Sequence, residues 1–116
     1  MKKSLCSILL LMLLLVFSLN AVAQTEIKGF VNDYTSLLSP QEKSSIEQVL
    51  QGLYDDSIAQ VSIVTVQSLQ GQDIYSFSLN LAQGHLGETG KNNGLLLVVA
   101  LEEREYRFEV GRGLEP

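Results

Sequence analysis

Residues 95–110 restrict the possible folds of this chain more than any other segment. Leu95-Leu96-Leu97-Val98-Val99-Ala100 is an unbroken apolar run bounded by turn residues. Six residues make a short helix but an ordinary strand, and a run with no polar alternation predicts a strand covered on both faces. After the charged turn Leu101-Glu102-Glu103-Arg104, Tyr106, Phe108 and Val110 alternate with Arg107 and Glu109. That period of two predicts a second strand, with its apolar side packed and Arg107 and Glu109 facing water. The first strand reads as the middle of a sheet, and the two pair as a β-hairpin.

Composition is informative only once the first 23 residues are set aside. Lys2 and Lys3 precede a leucine-rich core from Ile8 to Phe17, and Ala21-Val22-Ala23 has the small-residue pattern of a signal-peptidase site. The reading is a signal peptide over residues 1–23, cleaved after Ala23, and a secreted or periplasmic product. Ser18 and Asn20 interrupt the apolar run before the roughly 20 residues that a membrane span needs. Residues 24–116 then contain no cysteine, since Cys6 leaves with the leader, so disulfides do not hold the domain together. Removing Lys2 and Lys3 from the 8 basic residues leaves 6 against 13 acidic ones, a formal charge of −7. A surface of that sign disfavours nucleic acid and anionic lipid, and leaves cations, basic partners and uncharged ligands open.

From Gln24 onward the order of elements is α/β. Gln24 to Phe30 is a polar lead-in, and Val31-Asn32-Asp33-Tyr34 reads as an irregular or turn segment. Ser39, Pro40 and Glu42 spell a capping box with proline at the first helical position. Ile46, Val49, Leu50, Leu53 and Tyr54 follow at helical spacing, ending near Asp55 or Asp56. Ala59 to Val66 reads as an inner strand. Asp73 caps a second helix carrying Ile74, Phe77 and Leu81, with Gly84 placed to end it. Strand, helix, strand implies parallel pairing with a right-handed crossover, to which the hairpin adds one antiparallel strand. In such sheets ligands gather beyond the carboxyl ends of the strands, here the loop after Val66 and the turn from Leu101 to Arg104.

With these segments placed, the chain resembles the TPM domain family. The matching residues are Val31-Asn32-Asp33-Tyr34, Leu38-Ser39-Pro40, Ala59-Gln60-Val61, Val64-Thr65-Val66 and Ser68-Leu69. The match continues through Gly87, Gly90-Lys91-Asn92-Asn93-Gly94-Leu95-Leu96-Leu97-Val98, Glu102-Glu103-Arg104, Arg107 and Glu109-Val110-Gly111-Arg112-Gly113-Leu114-Glu115. The resemblance implies a three-layer α/β/α sandwich with a mixed, mostly parallel sheet, in an extracytoplasmic setting. It also implies calcium or other divalent binding in some members and acid phosphatase activity in the plant branch. Relatives continue past the position of Pro116, so the resemblance places the final helices, which cover one sheet face, and often a membrane tether, beyond this sequence. Members often carry tryptophan where His85 or Leu86 stands, aspartate at Asn92 or Asn93, and aspartate in the turn of Glu102 and Glu103. Losing a charge and lengthening a carboxylate arm both predict weaker divalent affinity here.

Asp33, Asn93, Glu102 and Glu103 are the candidate oxygen ligands for a Ca2+ or Mg2+ ion at the strand ends. Their alternative reading is local turn chemistry, and no EF-hand spacing is present. Phosphatase chemistry would need a nucleophile or metal-bound water together with cations on the phosphoryl oxygens. Lys91, Arg104, Arg107 and Arg112 supply cations and Asp33 a carboxylate, yet no DxD pair, histidine motif or cysteine motif accompanies them. His85 is a lone histidine with no nucleophile near it in sequence. Gly111-Arg112-Gly113 lacks the third glycine of a nucleotide loop. Three readings remain open: a module binding a protein partner at or near a membrane, with a divalent ion ordering its loops; a divalent-dependent acid phosphatase acting on phosphomonoesters; and an inactive fragment of the domain.

Overall fold

The structure, a computed structural model, describes residues 2–17, 25–83, 86 and 92–116. Helix α1 spans Lys2–Phe17, strand β1 Val31–Asp33, helix α2 Pro40–Asp55 and strand β2 Gln60–Val66. Helix α3 spans Ile74–Ala82, strand β3 Gly94–Ala100 and strand β4 Glu105–Val110, and one 3-10 turn covers Arg112–Leu114. In α1 the leucines and isoleucine from Leu5 to Leu13 are all exposed. No helix among the described residues is long and apolar enough to cross a membrane. The cleavage position after Ala23, and Gly84, His85 and Lys91, lie outside the described residues.

Four strands form one sheet in the order β1-β2-β3-β4, the first three parallel and β4 antiparallel to β3. Helix α2 starts where its sequence signals place it. Ser39 Oγ accepts from Glu42 N, Glu42 Oε1 accepts from Ser39 N, and Pro40 opens the first turn, where its missing N–H costs nothing. Asp73 caps α3 by accepting from Ser76 N at 2.8 Å. Because side chains alternate along a strand, the sheet has two faces with separate cores. Val64, Val66, Leu96, Val98 and Ala100 pack with Leu69 under Ile74, Phe77 and Leu81 of α3. Val31, Val61 and Ile63 pack on the opposite face under Ile46, Leu50 and Leu53 of α2. The result is an α/β/α sandwich.

Three details correct the sequence reading. Val31–Asp33 is a strand and not an irregular segment, paired in parallel with Ile63–Thr65. Its length of three residues, two of them asparagine and aspartate, gives no periodic signal. Val49 lies outside the apolar stripe of α2 and is exposed. The third correction concerns the hairpin. Leu96, Val98 and Ala100 are buried, but Leu95, Leu97 and Val99 on the α2 side are only half-buried. On β4 the expected sides are exchanged: Tyr106, Phe108 and Val110 are exposed, whereas Arg107 and Glu109 face α3 and are partly covered. Glu109 Oε1 accepts from the buried Ser78 hydroxyl at 2.7 Å and from Arg107 Nε at 2.6 Å. The Arg107 guanidinium lies 4.5 Å from the centre of the Tyr75 ring. Helix α3 reaches across β4 while α2 stops over β1 and β2, so the charged side of β4 is the covered one.

Candidate functional site at the carboxyl ends of the strands

Asp33 is the last residue of β1 and faces the α2 layer beside Thr65 of β2. Its Oδ1 accepts from Thr65 Oγ1 at 2.5 Å, Thr35 Oγ1 at 3.0 Å and Leu37 N at 3.1 Å, with Thr35 N at 3.3 Å; its Oδ2 accepts from Leu38 N at 2.8 Å. Burial acts to raise the pKa of this carboxyl, but the bonds from Thr65, Leu38, Leu37 and Thr35 outweigh it and hold the group well below the ordinary aspartate range. The carboxylate thus organises the loop that leads from β1 into α2. Asn32, one residue earlier, is a buried companion. Its Oδ1 accepts from Lys28 N and Gly29 N, and its Nδ2 donates to Gly29 O and Ile63 O.

Glu102 and Glu103 occupy the turn between β3 and β4, which stays tied to the β2 exit through Leu101 N to Val66 O and Glu102 N to Gln67 O, both 3.0 Å. Glu102 is exposed. Glu103 Oε1 accepts from Leu69 N at 2.9 Å and Ser68 Oγ at 3.1 Å, and the Leu69 bond lowers its pKa below the usual glutamate value. Its Oε2 is buried and has no hydrogen-bond partner among the described residues. Leu69 belongs to the α3 core, so Glu103 turns toward the layer opposite Asp33.

Asn93 sits at the other end of the sheet. It immediately precedes β3, its carbonyl accepts from Gln60 N at 2.9 Å, and the length of β3, roughly 20 Å at strand rise, separates it from the turn of Glu102 and Glu103. The four candidate ligands therefore occupy three places and make no common coordination shell. No group of three or more His, Cys, Asp or Glu poised to hold a metal occurs among the described residues. The cations are equally dispersed: Arg104 lies in the hairpin turn, Arg107 over Tyr75, and Arg112 just beyond β4, by the amino end of β3.

The glycine motif near Arg112 also has a structural explanation. Gly111 N donates to Gly94 O at 2.7 Å and Gly113 N to Asn92 O at 2.9 Å, and a Cβ at Gly111 would collide with the Asn92 carbonyl. The motif clamps the segment that leads into β3. Sequence reasoning passed over Asn32, Thr65, Ser68 and Ser78 as functional polar groups of the fold. Asn32, Thr65 and Ser68 stood within the matching segments, but nothing local says that an asparagine will be buried with four bonds.

The family model described as TPM domain matches residues 31–116, from the start of β1 to the last residue of the sequence. The chain belongs to the TPM domain family. Among solved structures, this TPM domain is similar to the solution NMR structure of the N-terminal domain of a protein from P. gingivalis. The identity is 34%, the TM-score 0.67, and the match covers 74% of this chain and 55% of that one. It also shares its fold with the N-terminal domain of cg2496 protein from Corynebacterium glutamicum, at 22% identity and a TM-score of 0.63, covering 82% of this chain and 62% of that one. The chain thus spans less than two thirds of either structure. None of the curated proteins compared with it matches.

Proposed function

We propose that this TPM domain is a non-catalytic module, acting outside the cytoplasm near a membrane, that binds a protein with a basic surface through the rim of loops at the carboxyl ends of its strands. The observation that carries the reading is the state of Asp33. Asp33 Oδ1 is taken up by Thr65, Thr35 and Leu37 and Oδ2 accepts from Leu38, so the carboxylate is held by the loop it organises, which supports a structural role over that of a nucleophile or metal ligand. Its lowered pKa also removes it from general acid work near neutrality. The candidate ligands Asp33, Asn93, Glu102 and Glu103 do not fit a six-to-eight-oxygen calcium shell as they stand, so the reading takes no step through a cation. Two further features support it: the formal charge of −7 after residue 23, and the Lys2-Lys3 and leucine pattern of the first helix.

The alternative function, an acid phosphatase, is tested directly. Protein is incubated with a chromogenic phosphomonoester, with and without calcium or magnesium, beside Asp33→Asn at a temperature where that variant stays folded. The proposal expects no turnover above background from either protein. Turnover that the substitution abolishes would overturn it.

A further inference from the structure

We infer that β4 is a self-association edge, through which two copies of this chain join their sheets antiparallel about a two-fold axis at Phe108. The inference concerns the edge of the sheet and is independent of the loop-rim reading above. In the sheet order β4 is terminal, and its outer side pairs with no strand among the described residues. The phase of its hydrogen bonds is fixed. Gly111 N bonds Gly94 O directly opposite, and in an antiparallel ladder bonded pairs alternate, so Glu109, Arg107 and Glu105 spend their backbone groups on β3. Tyr106, Phe108 and Val110 turn their N–H and C=O groups outward. These residues are 71%, 50% and 46% exposed, and their side chains lie on one face.

Only some registers satisfy the pleat, the hydrogen-bond phase and the charges together. With Phe108 opposite Phe108 of the second copy, Tyr106 meets Val110 and all three pairs fall at outward-bonding positions. Arg107 then meets Glu109 of the other copy on the opposite face, twice by symmetry, so opposite charges stand across the joint. Centring on Arg107 or on Glu109 instead sets like charges directly opposite each other. The Phe108 register also joins the apolar strip Tyr106, Phe108 and Val110 to its own copy, extending the exposed side of β3 into one continuous surface. Edge-to-edge addition of this kind draws its affinity from backbone bonds and its specificity from the alternate side chains.

Cysteine mapping on the full chain, in a Cys6→Ser background and a glutathione redox buffer, tests the register. Directly bonded antiparallel positions have Cα atoms about 5.5 Å apart, within disulfide reach. Phe108→Cys is expected to form a disulfide dimer, whereas Tyr106→Cys and Val110→Cys stay monomeric alone and cross-link when mixed. Absence of the Phe108→Cys dimer, or equal cross-linking at all three positions as α1-driven aggregation would give, overturns the inference. Arg107→Glu and Glu109→Arg provide a second readout by sedimentation. Each alone is expected to lose dimer, because it sets like charges across the joint. An equimolar mixture is expected to regain it, because opposite charges then face each other only where one variant meets the other. Failure of the mixture to associate, with both variants folded by circular dichroism, also overturns it.

Discussion

Asp33 and Asn32 show how two adjacent polar residues can fix the path of the chain into and out of one short strand. Between them they satisfy backbone groups of Lys28, Gly29, Leu37, Leu38 and Ile63, so the entry to β1 and the exit toward α2 are tied to the same two side chains. Hydrogen bonds to a charged acceptor contribute about 1.5–3 kcal/mol each, and a buried donor left unpaired costs about 1–3 kcal/mol. Asp33→Asn should therefore lower urea stability by at least about 2 kcal/mol at pH 7, because an amide cannot accept from all the donors that the carboxylate serves. The same residue sets a pH dependence. Its folded pKa lies below the unfolded value of about 3.9, so its contribution is complete above roughly pH 4 and fades as the pH falls toward the folded value. Urea midpoints measured from pH 6 down to pH 2.5 should fall for the parent, and the Asp33→Asn profile should be flatter over the same interval. The sequence marked Asp33 for a cation site. It could not show that the donors of the following loop would close on the carboxylate first.

At the scale of elements, signals that reside in one segment were legible and those that depend on a neighbour were not. The box of Ser39 and Glu42 and the cap at Asp73 are satisfied within four residues, so each helix start could be placed from its own sequence. Ser39→Ala should cost about 1 kcal/mol, seen as a lower thermal midpoint with the fold unchanged. The alternation along β4 likewise announced a strand, but period two defines two faces and does not say which one a helix will cover. Apolar side in, charged side out was the natural assignment, and Ser78 with Tyr75 on α3 reverses it. That reversal has a measurable consequence. Tyr106→Thr, at a residue 71% exposed, should change stability by no more than about 0.5 kcal/mol when measured at low protein concentration. Glu109→Ala removes the acceptor of both Ser78 and Arg107 and should cost about 1–3 kcal/mol.

At the largest scale, the described residues form a sheet with one face roofed from β2 to β4 and the other roofed only over β1 and β2. Helix α3 closes its core around Leu96 and Val98, both at 0% exposure, while Leu95, Leu97 and Val99 on the far side are only half-buried, and of the three Leu95 packs against the core under α2. The α/β order and the crossover were readable because they follow from the succession of apolar patterns along the chain. The uneven roof was not, since it depends on where each helix lies across the strands. Adjacent leucines on one strand measure the difference without any change of chemistry. Leu96→Ala opens a cavity in a closed core and should cost about 3–4 kcal/mol, in the range found for buried leucines. Leu97→Ala, one residue along and on the open face, removes a side chain that water already reaches and should cost about 1 kcal/mol by area lost. Equal losses for the two variants in urea titrations would mean that the α2 side is as fully covered as the α3 side. The exposed strip on β4 would then border a closed core.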